Sequence, residues 1–371
     1  MRDLALLFLK LGFTAFGGPA AHIAMMHREV VEKRKWLSEQ HFLDLIGATN
    51  LIPGPNSTEL AIHIGKERGG WKGLLLAGCC FILPAVFITL SIAVLYRQYG
   101  QLPEVQPFIY GIKPAIIAVI LAAVFPLAKK SLKSAWLAVI GIVVLILSLL
   151  NVNEIVLLFG AGLAALLWTL ISQKKSGSLN SFLPMLFLQT ADAGGLAVSN
   201  FNLFWLFLKI GAILYGSGYV LFAFLDTELV ETGIIARAQL IDAIAVGQFT
   251  PGPVFSSVTF IGYQIGGTSG ALVSTIAVFL PSFLFVALLN PLVKKMRHSV
   301  LFSAFLDAVN VASVAVIIAV CYAMGRDTIT DWRTILIAVL SLIITFRVRK
   351  LNSAWIILGG SVLGYMLTRV V

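Results

Sequence analysis

Lys10 and Lys209 sit inside apolar runs, each about one and a half to two turns ahead of a glycine pair or its equivalent. An ammonium in such a run is costly and points to an anion, an ion pair or a route out to the interface. Lys113, within FIYGIKPAII, is a third cation of this kind. Two breaks, Pro53-Gly54-Pro55 and Pro251-Gly252-Pro253, interrupt sequence that is otherwise helix-like. Proline removes a backbone donor and glycine adds freedom, so no helix continues through them. A helix that restarts after a break presents unpartnered amides and the positive end of its dipole, which together seat an anion.

Asn56, Ser57 and Thr58 place neutral donors in the first restarted turn beside Gly54, and Ser256 and Ser257 do so beside Gly252. Gly17-Gly18-Pro19 and Gly216-Ser217-Gly218 read as the same device earlier in each half. Donors, amides and lysines converging at mid-membrane suit a doubly charged oxyanion. The competing reading is that the glycines are packing kinks and the lysines snorkel. Candidates for a coupling proton are Asp44 and Asp242, each nine residues before its break, together with Glu59 and His22. A plain ion pair or a satisfied structural histidine is the competing reading for these.

No cofactor is expected. The chain has no Walker-A motif, no dinucleotide fingerprint, no His-Glu-x-x-His and no cysteine spacing that would hold a metal. Ser217 in Gly-Ser-Gly could suggest an intramembrane protease, but its repeat partner is Gly18 and no histidine accompanies it, so no catalytic residue is assigned.

The elements that position these groups are membrane helices. Hydrophobic residues make up 59% of the 371, charged ones 12%, and mean hydropathy is +0.95, where a soluble domain carries roughly 25% charged residues. Continuous apolar runs of about twenty residues predict an all-α polytopic protein in a lipid bilayer rather than a β-barrel. The net charge of +10 lies in short loops, as the positive-inside rule produces, so nucleic acid is not an expected partner.

The chain repeats itself. LFLKLGFTAFGG (7–18) returns as LFLKIGAILYGS (206–217). Glu29 then matches Glu228, Asp44 matches Asp242, each Pro-Gly-Pro matches the other, and Leu83-Pro84 matches Leu280-Pro281. This predicts a first repeat over 1–172, a linker over 173–200 and a second repeat over 201–371. Each half should hold about five spans plus one re-entrant Pro-Gly-Pro hairpin. The first spans are expected over 3–27 and 201–225. Arg28, Lys33, Arg34, Lys35, Lys66, Arg68, Lys72, Lys129, Lys130 and Lys133 put the first half's basic loops in the cytoplasm. The matching loop of the second half carries Asp226, Glu228 and Glu231, so that copy reads as inverted, with both termini outside.

FGGPAAHIAMMHREVVEKRKWLSEQHF, the Pro-Gly-Pro segment and the YGIKPA segment resemble the chromate ion transporter family, in its long-chain, two-domain form. The family's first motif falls on Phe16-Gly17-Gly18-Pro19 and His22, its second on Pro53-Gly54-Pro55. The resemblance implies a bacterial inner-membrane exporter of chromate, a tetrahedral dianion that mimics sulfate, working by alternating access. A passive oxyanion channel and an uptake permease remain as alternatives, and a homodimer is left open.

Overall fold

The computed structural model describes residues 1–173, 199–216, 218–288, 299–348 and 351–369. Their regular structure is all helical, with no strand among them. The first half comprises α1 (Arg2–Thr14), α2 (Gly18–His27), α3 (Glu39–Thr49), α4 (Asn56–Tyr99), α5 (Gln106–Ser131), α6 (Ala135–Leu149) and α7 (Glu154–Gln173). The second comprises α8 (Asn200–Ile213), α9 (Val220–Leu225), α10 (Arg237–Phe249), α11 (Ser257–Leu288), α12 (Val300–Thr328), α13 (Trp332–Arg347) and α14 (Ser353–Arg369). Ser38, Ser134, Ser199, Ser299 and Asp331 cap the starts of α3, α6, α8, α12 and α13 by accepting a hydrogen bond from a first-turn amide. The segment 174–198, which holds nearly all of the expected linker, lies outside the described residues, as do Ser217, the basic run 294–298, and Arg349 and Lys350.

Among the described residues, helices over 56–99, 106–131, 154–172, 254–288 and 300–328 are long and apolar enough to cross a membrane. Two of these are more than single spans. Gly69-Gly70 in α4 and Gly266-Gly267 in α11 leave helical geometry, with φ of +57° at Gly70 and +63° at Gly267. The chain doubles back there: a methyl at Gly65 would stand 2.5 Å from Ala77 Cβ. The long arm after Gly70, at about 1.5 Å per residue, reaches about 43 Å by Tyr99.

The halves are inverted. Lys66 Nζ, just before the first turn-back, donates to the Val286 and Ala287 carbonyls at the end of α11, 2.9 Å each. Gln264 Nε2, just before the second, donates to the Ala93 carbonyl near the end of α4, 3.2 Å away. The long arms of α4 and α11 therefore run antiparallel. Each half also lends its last two helices to the other. α6 and α7 pack on α12, while α13 and α14 pack on α5. Gly162 lies against Phe305 and Val309, and Gly360 against Ala115 and Gly111.

The first element of each half departs from the expected single span. Lys10 Nζ is 3.2 Å from Glu29 Oε1, and Lys209 Nζ is 2.5 Å from Glu228 Oε1. In one continuous helix, 19 residues would separate those groups by about 28 Å, beyond the reach of both side chains. The chain instead leaves helical structure at 15–17 and at 214–216 and folds back. One consequence corrects the position of the N-terminus. Met1 Sδ lies 2.9 Å from where a Cβ on Gly69 would stand, so the chain begins at the same end of the bundle as Lys66 and Arg68, not at the opposite one. Ser361 donates to the Phe108 carbonyl, which places the end of α14 at the other end, beside the start of α5.

Candidate functional site

The breaks meet at the centre, and they meet crosswise. Gly54 N–H donates to the Leu214 carbonyl at 2.8 Å, and Gly252 N–H donates to the Ala15 carbonyl at 2.8 Å. Leu214 and Ala15 are repeat mates, as are Gly54 and Gly252. Each Pro-Gly-Pro thus satisfies the orphan carbonyl left where the other half's first helix ends. Gly54 has φ +134° and Gly252 φ +88°, conformations that a side chain resists.

Around this crossing the polar groups differ between the halves. His22 Nε2 donates to the Ala15 carbonyl at 3.0 Å, because a carbonyl only accepts. His22 Nδ1 then accepts from Ser57 Oγ at 3.2 Å, which fixes the tautomer and ties α2 to the restarted helix. Its repeat mate is Leu221, which has no polar atom to do the same. Ser256 pairs with Thr89 across the halves at 3.4 Å. Thr58 and Ser257 are buried with no hydrogen-bond partner. Glu59 is fully buried, faces Ser282 and Tyr215, and neither carboxyl oxygen has a hydrogen-bond partner.

A polar cleft of about 270 Å³ opens onto the crossing. It is lined by the half-buried Asn56 and Asn310 and by the exposed Asn50, Gly216, Lys130 and Lys133. Asn56 Nδ2 donates to Asn50 Oδ1 at 2.8 Å. Among the described residues, the Asn310 carboxamide makes no hydrogen bond and Lys130 makes no ion pair. Lys133 pairs with Asp307 at 2.6 Å. The N-terminus of α4, at Asn56, thus shares a cleft with the exposed ammonium of Lys130, which is an electrostatic setting for an anion.

The structure brings together Gly54, Asn56, Ser57, Glu59, His22, Gly216, Gly252 and Ser256 through these contacts. Gly17 and Gly18 take positive φ at the fold-back of the first element, and the Tyr219 hydroxyl approaches Gly18. Gly218 stands against Phe255. Lys10 and Lys209 are not among the cleft's lining residues. Their ammoniums are held by Glu29 and Glu228, with side chains 56% and 43% exposed. Glu29 also receives Lys33 at 2.9 Å and Arg34. Hydrogen bonding from Lys33, then from Arg34 and Lys10, outweighs burial and lowers the Glu29 carboxyl from 4.5 to about 2.

Lys113 pairs with Asp242 at 3.7 Å, and the Tyr96 hydroxyl donates to Asp242 at 2.7 Å. This joins α5 of one half to α10 of the other. Asp44, the repeat mate of Asp242, is half-buried and accepts from Gln40 at 3.4 Å. Sequence reasoning passed over Asn50, Lys130 and Asn310 as site residues. A signal was available for Asn310, which stands at the repeat position of Lys113.

A family profile described as "Chromate transporter" matches residues 2–166 and again residues 201–365. The chain is 32% identical to the "Chromate transport protein" of Cupriavidus metallidurans over 98% of its own length and 92% of the relative's. It is 33% identical to the "Probable chromate transport protein" of Synechococcus elongatus, covering 98% and 95%. A third relative, the "Chromate transport protein" of Pseudomonas aeruginosa, is 30% identical over 97% and 90%. No solved structure matches the chain.

Proposed function

The chain belongs to the chromate transporter family, and on that premise we propose that it is a secondary transporter of chromate, with sulfate as a competing oxyanion, working by alternating access. It lies in the cytoplasmic membrane of a bacterium, with the end that carries Lys66, Lys130 and Lys133 facing the cytoplasm, and exports the anion. The observation that carries this reading is the cleft. It lies beside the crossing of the two breaks and is lined by Lys130 and Lys133, by neutral donors and by the N-terminus of α4. Neutral donors beside the lysines let a dianion be bound without being trapped. The first Pro-Gly-Pro segment then acts as a re-entrant hairpin, a reading supported by the 3.7 Å approach of His41, near the start of α3, to Glu67, near the first turn-back.

Inside-out vesicles holding the chain should accumulate chromate against a gradient, and purified chain alone in liposomes should do the same. Accumulation that stops at equilibrium would indicate a channel. A need for a separate ATPase would indicate a permease subunit. Lys130→Ala and Asn310→Leu should raise the KM for chromate several-fold. Lys10→Ala and Lys209→Ala, whose ammoniums are already held by glutamates, should leave it within about twofold. The reverse order of effects would move the anion to the two first-element lysines.

A further inference from the structure

Of the four carboxyl and imidazole groups that stand near the breaks, three are compensated. Asp242 has Lys113 and Tyr96, Asp44 has Gln40, and His22 is bonded at both nitrogens. Glu59 is not: it is 0% exposed and, among the described residues, makes no ion pair, and neither oxygen meets a donor in hydrogen-bond geometry, although the Ser282 hydroxyl stands beside it. It folds back against Gly54, where a Cβ would also stand 2.6 Å from Ser282 Oγ. An ionised carboxylate taken out of water with no cation and at most one neutral hydroxyl beside it is among the most expensive groups a protein can hold, and binding a proton removes that expense. In the second half Ser257 and Ala85 stand where the first has Glu59 and Ser282, so the feature belongs to one break alone.

We propose that Glu59 is the proton site of the transport cycle: it holds a proton while the crossing of Gly54 with Leu214 is closed, and releases it when that crossing opens to water. The proposal rests on the transport reading above and supplies its coupling ion. The surroundings contain little that would otherwise hold the charge. From the second half, Tyr215 is the titratable group that faces Glu59, and α11 offers the Ser282 hydroxyl. On its own helix, His63 stands one turn further on with Nε2 unpartnered, and beyond it Lys66 is spent on the α11 carbonyls. From α2, His22 is committed to Ser57 and Ala15. Gly54 N–H bonds the very residue that precedes Tyr215, so separating the halves here would both break that bond and wet the carboxyl. The chemistry is one proton bound to or released from one carboxyl oxygen, with no other bond made or broken.

Two measurements on the purified full chain test this. Infrared difference spectra at neutral pH should contain the carbonyl band of a neutral, buried carboxylic acid that is missing in Glu59→Gln; a wild-type spectrum without that band overturns the proposal, whatever the chain transports. In liposomes with an entrapped pH dye, wild-type chain should accumulate chromate in response to an imposed pH gradient and should shift the dye when chromate is added. Glu59→Gln, nearly isosteric and permanently neutral, should keep chromate exchange at zero gradient and lose both responses by at least tenfold. Retention of gradient-driven accumulation in Glu59→Gln overturns the proposal, and so does wild-type transport that ignores pH while chromate still moves. A wild type that shows the infrared band but moves no chromate would instead fail the transport reading.

Discussion

At the scale of single residues, the recurring feature is a lysine and a glutamate 19 positions apart in both copies, Lys10 with Glu29 and Lys209 with Glu228. Because the partners come from the two arms of a folded-back element, each pair braces that fold. Glu29 carries the larger share, since Lys33 and Arg34 also converge on it. Its carboxyl is lowered from 4.5 to about 2, so it contributes stability above pH 4.5 that is lost as the pH falls toward about 2. Glu29→Gln should therefore lower Tm in detergent at neutral pH, by an amount equivalent to about 1 kcal/mol given that the lysines are half-exposed. The gap from wild type should narrow steadily below pH 4.5 and close near pH 2. A gap that widens on acidification would assign the bracing to some other group. The same pair shows what the sequence held and what was overlooked. Residues 3–27 form an apolar run, and hydropathy alone reads such a run as one span. The same spacing of opposite charges stands in both copies of the repeat, and pairing across it requires a hairpin.

At the scale of elements, proline chemistry made the breaks legible and loop charge made the inversion legible. What lay outside the sequence's reach was how the breaks find each other. Nothing in either Pro-Gly-Pro indicates that its glycine amide will seek the carbonyl ending the first helix of the other half, because that bond depends on tertiary placement of four separate segments. It is nevertheless testable. Gly54→Ala would force a side chain into φ +134° and against Glu59 and Ser282, and Gly252→Ala into φ +88° with its methyl 2.9 Å from Ala85 Cβ. Each should destabilise by about 1–3 kcal/mol from backbone strain alone, and both should abolish flux. Gly160→Ala, in the middle of α7 where an added methyl meets nothing within 4 Å, should be neutral or stabilise by up to about 1 kcal/mol with flux unchanged. Thermal melts and vesicle flux on the three variants decide the point. Equal losses in all three would mean that the bundle merely tolerates glycine loss poorly.

For the whole molecule, inversion with exchanged helices means that whatever opens at one end has a repeat-related counterpart at the other. Asn310 lines the open cleft, and its mate Lys113 is closed against Asp242 and Tyr96. Gly216 lines the cleft, and its mate Gly17 sits in the opposite first element. If the halves exchange conformations during transport, the Lys113–Asp242 contact between α5 and α10 has to part as the second cleft opens. Lys113→Cys with Asp242→Cys tests this in a background with Cys79, Cys80 and Cys321 replaced by alanine. Removing both partners leaves no unpaired buried charge, so the double variant should still fold and transport. A short, reducible bis-thiosulfonate bridge between the two thiols should stop chromate flux, and reduction should restore it. Full flux in the bridged protein would show that α5 and α10 stay together throughout the cycle, and the anion would then have to leave by a path that does not separate the halves there.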